Sequence, residues 1–387
     1  MANGSEVLRR EFLKQTAAVG AGVTGALAAT GAGGADAAPG GKPTPPGKKP
    51  RGEQRNATKG IIYKRLGRTN FMLSTLSFGG VRLTAKALPV FDAGVKAGLN
   101  FIMAHEGGCI GALAAWFKKD KANRGRIFLG LRTTPSHVDK VLKALGTDCL
   151  DMLMVVAPKP QAVGSAKIRA DYEALRKAGK ARALCLVFHS SVPAVFRAGL
   201  DAAWYDVLLP TYNFATRPQL KGMLAEAVKK DIGVLTMKSL RAMPKRVGFV
   251  AGGRRFIDDG ITSIVRTMLT PGELAKHLPL AKASDKTPPA KTRTAANLAG
   301  QCTLCGRCTA CPEDVAIQDV LRTYQYYACD LGWLDEALRQ YKAIPADRLA
   351  SACTGCGLCE EICPQHLPIR MLMTQAHNEL RPHPAPA

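Results

Sequence analysis

The sequence predicts an α/β chain in which a (β/α)8 barrel is followed by a small, cysteine-rich α-helical domain. Three observations predict it. Between two Pro-rich spacers the chain alternates strand-like and helical patterns about eight times in roughly 220 residues, the compact end of the size range for such barrels. Several strand-like segments are nearly continuous apolar runs, as expected of parallel strands buried on both faces. Beyond the second spacer, eight of the 12 cysteines fall in two tight runs, with about 30 residues of helical periodicity between them.

The chain has 387 residues, 47% hydrophobic and 22% charged, which is enough for two domains. Its formal charge of +24 is unevenly placed. Residues 38–296 hold 44 Lys and Arg against 17 Asp and Glu, whereas residues 297–387 hold 7 against 10. A basic field of that size draws acidic proteins, anionic lipid surfaces or nucleic acid to the middle of the chain, unless it is simply a well-solvated surface.

Residues 1–37 read as an export signal. Arg9-Arg10 precedes Phe12-Leu13-Lys14, a weakly apolar stretch from Thr16 to Thr30 follows, and Ala35-Asp36-Ala37 supplies a small-residue cleavage site. Leu8 stands where a twin-arginine signal usually has serine. That route carries proteins already folded, so a periplasmic or extracytoplasmic location is expected. No other long apolar run is present in the sequence, and no membrane span is expected in the mature chain. Residues 38–59 form a basic Pro/Gly-rich spacer, 60–282 the barrel, 283–296 a second spacer and 297–387 the cysteine-rich domain.

The expected barrel strands are Thr75–Gly80, Asn100–His105, Ile127–Thr133, Leu150–Ala157, Ala183–His189, Val207–Asn213, Ile232–Lys238 and Ile261–Thr267. Amphipathic segments such as Ala166–Ala178 and Gln219–Lys230 fill the gaps. The seventh gap, Arg241 to Gly260, shows no convincing helical period. Active sites of such barrels lie at the C-terminal ends of the strands. His105, Glu106, Arg132, His189, Tyr212, Lys238 and Arg266 stand at or just past those ends. His105 with Glu106 could serve as an acid–base pair or bind a metal; otherwise these are polar residues capping strands.

The segments "YKRLGRTNFMLSTLSFGG", "GLNFIMAHEGG", "RIFLGLRTT", "LGTDCLDMLMVV", "LRKAGKARALCLVFHSS", "LLPTYNF" and "IGVLTMKSL" occur in the order of the aldo-keto reductases, and Ile61 to Leu240 resembles that family. The resemblance implies a barrel mouth that binds a nicotinamide cofactor and a carbonyl substrate. It also implies a tetrad of aspartate, tyrosine, lysine and histidine. At the matching positions stand Met103, Gly108, Arg132 and Val156. Arg132 keeps a charge but titrates too high for acid–base work near neutrality. The phosphate loop's glycine is Arg266, and the fifth strand ends Val187-Phe188-His189 where Ser-Asn-His is usual. Tyr212 matches the nicotinamide-stacking aromatic. Conventional NADPH-dependent carbonyl reduction is therefore not expected, and Tyr212, Lys238 and Arg266 remain the cofactor-binding candidates.

The cysteine runs are Cys302-x2-Cys305-x2-Cys308-x2-Cys311-Pro312 and Cys353-x2-Cys356-x2-Cys359-x3-Cys363-Pro364. The second has the bacterial ferredoxin spacing, and the first is one residue shorter. Three thiolates of one tight turn can meet three irons of a cubane, and the fourth ligand comes from elsewhere. Zinc has no use for a third and fourth cysteine at such intervals. Disulfides that close together would be strained. Two [4Fe–4S] clusters are expected. One takes Cys302, Cys305, Cys308 and Cys363, and the other takes Cys353, Cys356, Cys359 and Cys311, each distal cysteine serving the partner cluster. The tail resembles the α-helical dicluster, ferredoxin-like domains of fumarate reductase iron–sulfur subunits and of iron–sulfur aldo-keto reductase homologues. Cys329 is expected to be a buried thiol, and Cys109, Cys149 and Cys185 core residues.

The expected function is electron transfer by an exported iron–sulfur protein whose basic barrel docks an acidic redox partner or a small-molecule ligand, and not nucleic acid. The alternative is an oxidoreductase using the barrel mouth for a substrate or a nicotinamide, with the clusters as relay.

Overall fold

Strand alternation decides what fills the centre of this molecule. The computed structural model describes residues 52–106, 109–241, 243, 247–291 and 301–381. The export signal, the first spacer up to residue 51, Gly108 and residues 292–296 lie outside them. Three short strands come first: β1 (Glu53–Gln54), β2 (Tyr63–Arg65) and β3 (Phe71–Ser74), paired in the order β1-β3-β2. Eight parallel strands then close a barrel in chain order. They are β4 (Leu76–Gly79), β5 (Phe101–His105), β6 (Phe128–Arg132), β7 (Leu150–Val156), β8 (Ala181–Phe188), β9 (Val207–Pro210), β10 (Gly233–Thr236) and β11 (Ser263–Arg266). β11 returns to β4 with Ile264 opposite Leu76. Every strand expected from the sequence is present, with ends moved by a few residues.

Because side chains alternate along a strand, β5 turns Phe101 and Met103 into the barrel and Ile102 and Ala104 toward the helices. β7 does the same with Met152 and Met154 inside, Leu153 and Val155 outside. Gly130 of β6 is required for this packing, since a Cβ there would lie 2.9 Å from both Met154 Sδ and the Phe101 ring. The N-terminal end is plugged by the small sheet, whose Phe71 stacks on Phe128 at 4.7 Å. Beside it, the buried carboxylate of Asp151 holds Arg55 at 2.9 Å, Arg124 at 2.9 Å and Arg182 at 2.8 Å. Residues 52–59, expected in the spacer, thus belong to the floor of the barrel.

The outer helices are α1 (Leu88–Lys96), α2 (Ile110–Lys119), α3 (Val138–Leu145), α4 (Ala166–Lys177), α5 (Val192–Ala202), α6 (Arg217–Lys229), α7 (Phe249–Asp258) and α8 (Pro271–His277). Local signals set their limits. Ser165 caps α4 through Ile168 N–H, Gly146 stops α3 in the left-handed conformation, and Thr270 with Glu273 forms a capping box on α8. The helix with no legible period, α7, is present. Its buried face is Phe249, Gly252, Gly253 and Phe256, so glycines stand where apolar side chains would have marked it. They admit Met243 and Leu280.

The C-terminal region is helical, with α9 (Ile317–Leu321), a π-helical stretch at Arg322–Asp330, α10 (Leu334–Lys342) and α11 (Ile369–Leu380). Among its described residues none lies in a strand. The start of the second spacer is not a free tether. Ala290 N–H donates to Ala251 O at 2.9 Å, and Arg255 Nε donates to Ala290 O at 2.8 Å, fastening it to α7. Among the described residues no helix is long and apolar enough to cross a membrane.

Candidate redox centre and covered barrel mouth

The helical region sits on the C-terminal ends of the barrel strands. Val192 N–H donates to Leu304 O at 3.2 Å, Ser191 N–H to Gln318 Oε1 at 2.9 Å, and Ser190 Oγ to Asp319 at 3.1 Å. Lys159 meets Asp314 at 3.1 Å and Arg82 meets Asp335 at 2.6 Å. Ser191 and Lys238, which both touch this cap, adopt φ of 48° and 56°, values sparsely populated by residues other than glycine.

The two cysteine runs fold as copies of one module. Two residues past the first cysteine the chain is left-handed, at Leu304 (φ 58°) and Gly355 (φ 72°). Two residues later it is left-handed again, at Gly306 (φ 93°) and Gly357 (φ 80°). A third such residue stands three past the distal cysteine, at Asp314 (φ 45°) and His366 (φ 48°). The bonds repeat too: Asp314 N–H donates to Cys311 O at 3.1 Å and His366 N–H to Cys363 O at 3.0 Å. Each module then enters a helix, α9 or α11.

Thiols of the two runs lie side by side, with Cys308 near Cys302, Cys305 and Cys359. One hollow is lined by Cys308, Cys311, Cys353, Cys356 and Cys359, so Cys311 lies with the second run. Cys302 has Cys305 and Cys363 beside it. None of the 12 cysteines is in a disulfide. Burial pushes Cys302 up to about 11 against the pull of Arg241, with Cys305 and Cys363 adding to the rise. Burial, Glu360 and neighbouring thiols push Cys359 up to about 12. A metal centre here would displace the thiol protons. Cys353 and Cys356 are exposed, whereas the first run faces the barrel, where a Cβ on Gly306 would lie 2.8 Å from Ser191 Cα. Cys329, expected to be buried, is exposed. Cys149 is only half-buried, and Cys109 and Cys185 are core residues.

Beneath the cap lies the barrel mouth. His105, Arg132, His189, Lys238, Arg266 and Ser239 line a cavity of ≈ 50 Å³, roofed by Tyr326, Tyr327 and Trp333 of the helical region. At roughly 10–15 Å³ per water it holds a few waters, far short of the roughly 300 Å³ at which cofactor pockets begin. Lys238 Nζ lies 3.0 Å from His189 Nδ1 and 5.0 Å from the Tyr326 ring. Burial, reinforced by Arg322, Arg132 and Arg241, holds the Lys238 ammonium well below its usual range. Burial and then Lys238 depress His189; burial and then Arg132 depress His105.

Two expectations are corrected. Glu106 is not paired with His105. It turns to Thr133 and to His137 Nδ1 at 2.9 Å, because consecutive residues at a strand end point to opposite sides. Tyr212 does not face the mouth. Its ring packs edge-on to Phe256 at 5.2 Å, and its hydroxyl donates to Asp259 at 2.9 Å, in the layer between barrel and helices. Of the tetrad positions, Met103 and Arg132 line the cavity, and Val156 is exposed. Sequence reading missed Tyr326, Tyr327 and Trp333, whose clustering in "TYQYYACDLGW" was the available signal.

A family model described as a 4Fe-4S binding domain matches residues 349–367, so the second run binds a [4Fe–4S] cluster. No curated protein matches the chain. Two structures of a protein assigned to the aldo-keto reductases, from Pseudomonas aeruginosa, superpose with a TM-score of 0.50 at 18% identity. They cover 58% of this chain and 96% and 95% of their own. An aldo-keto reductase from Bacillus halodurans in its holo form superposes with a TM-score of 0.44 at 14% identity, covering 60% of this chain and 99% of its own. The fold is an aldo-keto reductase-type barrel carrying a helical ferredoxin-type region.

Proposed function

We propose that this is an exported electron-transfer protein holding two [4Fe–4S] clusters, one at the surface and one against the barrel. The observation that carries the reading is the repeated module: the first run copies, turn for turn, the backbone of the run matched by the 4Fe-4S model. The crossed ligand sets are Cys302, Cys305, Cys308 and Cys363 for the inner cluster, and Cys353, Cys356, Cys359 and Cys311 for the outer. The two shared neighbourhoods of thiols support them. When bound, each cluster takes up and releases one electron at a time.

The chain's own residues set direction and environment. Cys353 and Cys356 are exposed, which suits exchange with a partner protein. The inner set is half-buried against the barrel, with Arg241 close to Cys302. Cys302 N–H and Arg241 Nη2 both donate to Gln325 Oε1, each at 3.0 Å. This ties the backbone of the first run to Arg241, which follows the seventh barrel strand. The acidic partner rests on the charge of residues 38–296. Export rests on residues 1–37, and transport of folded protein accounts for clusters in an exported chain.

A second reading, an oxidoreductase in which the mouth takes a ligand and the clusters relay electrons, is favoured by the basic lining of the cavity. It does not extend to a nicotinamide, for which the roofed mouth is too small.

The anaerobically purified protein should contain about eight irons and eight sulfides per chain, and NADPH should leave its cluster absorbance unchanged. Four irons, or bleaching by NADPH, would refute the dicluster reading or the exclusion of nicotinamide respectively.

A further inference from the structure

We infer that the covered barrel mouth is a binding site for one small oxyanion of the sulfate or phosphate class. His105, Arg132, His189, Lys238 and Arg266 line the cavity, and among the described residues no aspartate or glutamate does. So many basic groups around so small a space cannot all carry a proton without mutual repulsion in a medium that screens poorly. A bound anion removes that cost.

The nearby carboxylates are occupied outside the wall. Glu336 holds Arg339 at 2.5 Å, Asp319 holds Arg322 at 3.2 Å and Ser190 at 3.1 Å, and Asp330 lies 3.6 Å from Arg241. Donors are also left over. His105 Nε2, Arg266 Nε and Ser239 Oγ are buried without a hydrogen-bond partner, and buried polar groups normally have one. All three belong to residues lining this cavity. Donors from several strand ends converging on one space match an acceptor with oxygens on several sides, and guanidinium groups favour oxyanions. Room for a few waters fits a five-atom tetrahedral ion and excludes a nucleotide.

The inference does not depend on the cluster number. The test uses the full chain with its clusters, exchanged into buffer free of oxyanions. Inorganic sulfate and phosphate are titrated by calorimetry and by the thermal midpoint, with chloride at matched ionic strength as control. Expected is saturable binding of one ion per chain that raises the midpoint, with chloride inert. Arg132→Met and Arg266→Met should each weaken binding at least tenfold, and the exposed Lys140→Met should not. Ion chromatography of acid-released solute, which needs no variant, should find about one oxyanion per chain as purified from phosphate buffer. Absence of saturable binding, saturation by chloride alone, or binding indifferent to both arginine variants would overturn the proposal. So would a rise in midpoint in Arg266→Met that sulfate does not influence, since this marks a cavity of water and unrelieved repulsion.

Discussion

The side-chain nitrogens of Lys238 and His189 lie 3.0 Å apart, both withdrawn from solvent where the barrel meets its cap. Two basic groups in contact cannot both hold a proton cheaply. Burial comes first for both; Arg322 and Arg132 then lower Lys238, and the Lys238 charge lowers His189.

The sign of the resulting pH dependence follows from linkage. Between the depressed folded value and the ordinary unfolded one, the unfolded chain binds more protons, so stability rises with pH. In oxyanion-free buffer the thermal midpoint should fall on acidification below the ordinary histidine value of about 6.5, and should climb toward the ordinary lysine value of about 10.4. Lys238→Met should flatten the alkaline limb. An unaltered limb in that variant, followed by circular dichroism from pH 5 to 10, would show that Lys238 keeps its proton.

The proposed exchange of distal cysteines predicts a remote effect of a local change. Cys363→Ser should alter the electron paramagnetic resonance of the inner cluster, whose other ligands lie about 60 residues earlier, with loss of up to four irons. Disturbance of the outer cluster alone would show that each run keeps its own distal ligand.

Arg241 is buried beside Cys302 and shares Gln325 with its backbone. A positive neighbour favours the more negative, reduced form of a cluster. Arg241→Gln should therefore lower the inner potential, by about 60 mV for each tenfold change in the one-electron equilibrium. Film voltammetry would resolve this from the outer cluster, which should stay within error of the parent.

At the opposite end, Asp151 is the single buried anion among Arg55, Arg124 and Arg182. Burial alone would raise its pKa, yet Arg124 and Arg55 keep the carboxyl below its usual value. Asp151→Asn leaves Arg124 facing an amide and Arg55 and Arg182 with only the half-exposed Glu53, and should cost about 3 kcal/mol, read as a lower urea midpoint. A change under about 1 kcal/mol would place these arginines in the class of weak surface pairs.

What could be read in the sequence divides along physical lines. The eight strands were legible because strands such as Leu150–Val156 are apolar on both faces and bounded by turns. The cysteine runs were legible because cluster ligation constrains spacing. The cap was not, since Lys159 with Asp314 and Ser190 with Asp319 are docking contacts between distant segments that leave no periodic trace. α7 was hidden by its two buried glycines. Cys329 was misplaced because its segment was read with an α-helical period. Arg322–Asp330 is π-helical, and hydrogen bonds spanning one residue more per turn rotate successive side chains away from the expected phase. Tyr212 followed the family pattern in its letter but not in its direction, because Asp259 draws its hydroxyl outward.

The left-handed turns shared by the two cysteine modules bear on ancestry as well as on ligation. Under the crossed pairing, one module alone supplies three thiolates to one site and a single thiolate to another, so it completes neither. Two identical modules facing each other across a twofold axis complete both. A forerunner of this domain with a single module would thus have been obliged to pair with itself, and joining the two copies in one chain would have freed each to diverge, one toward solvent and the other toward the barrel.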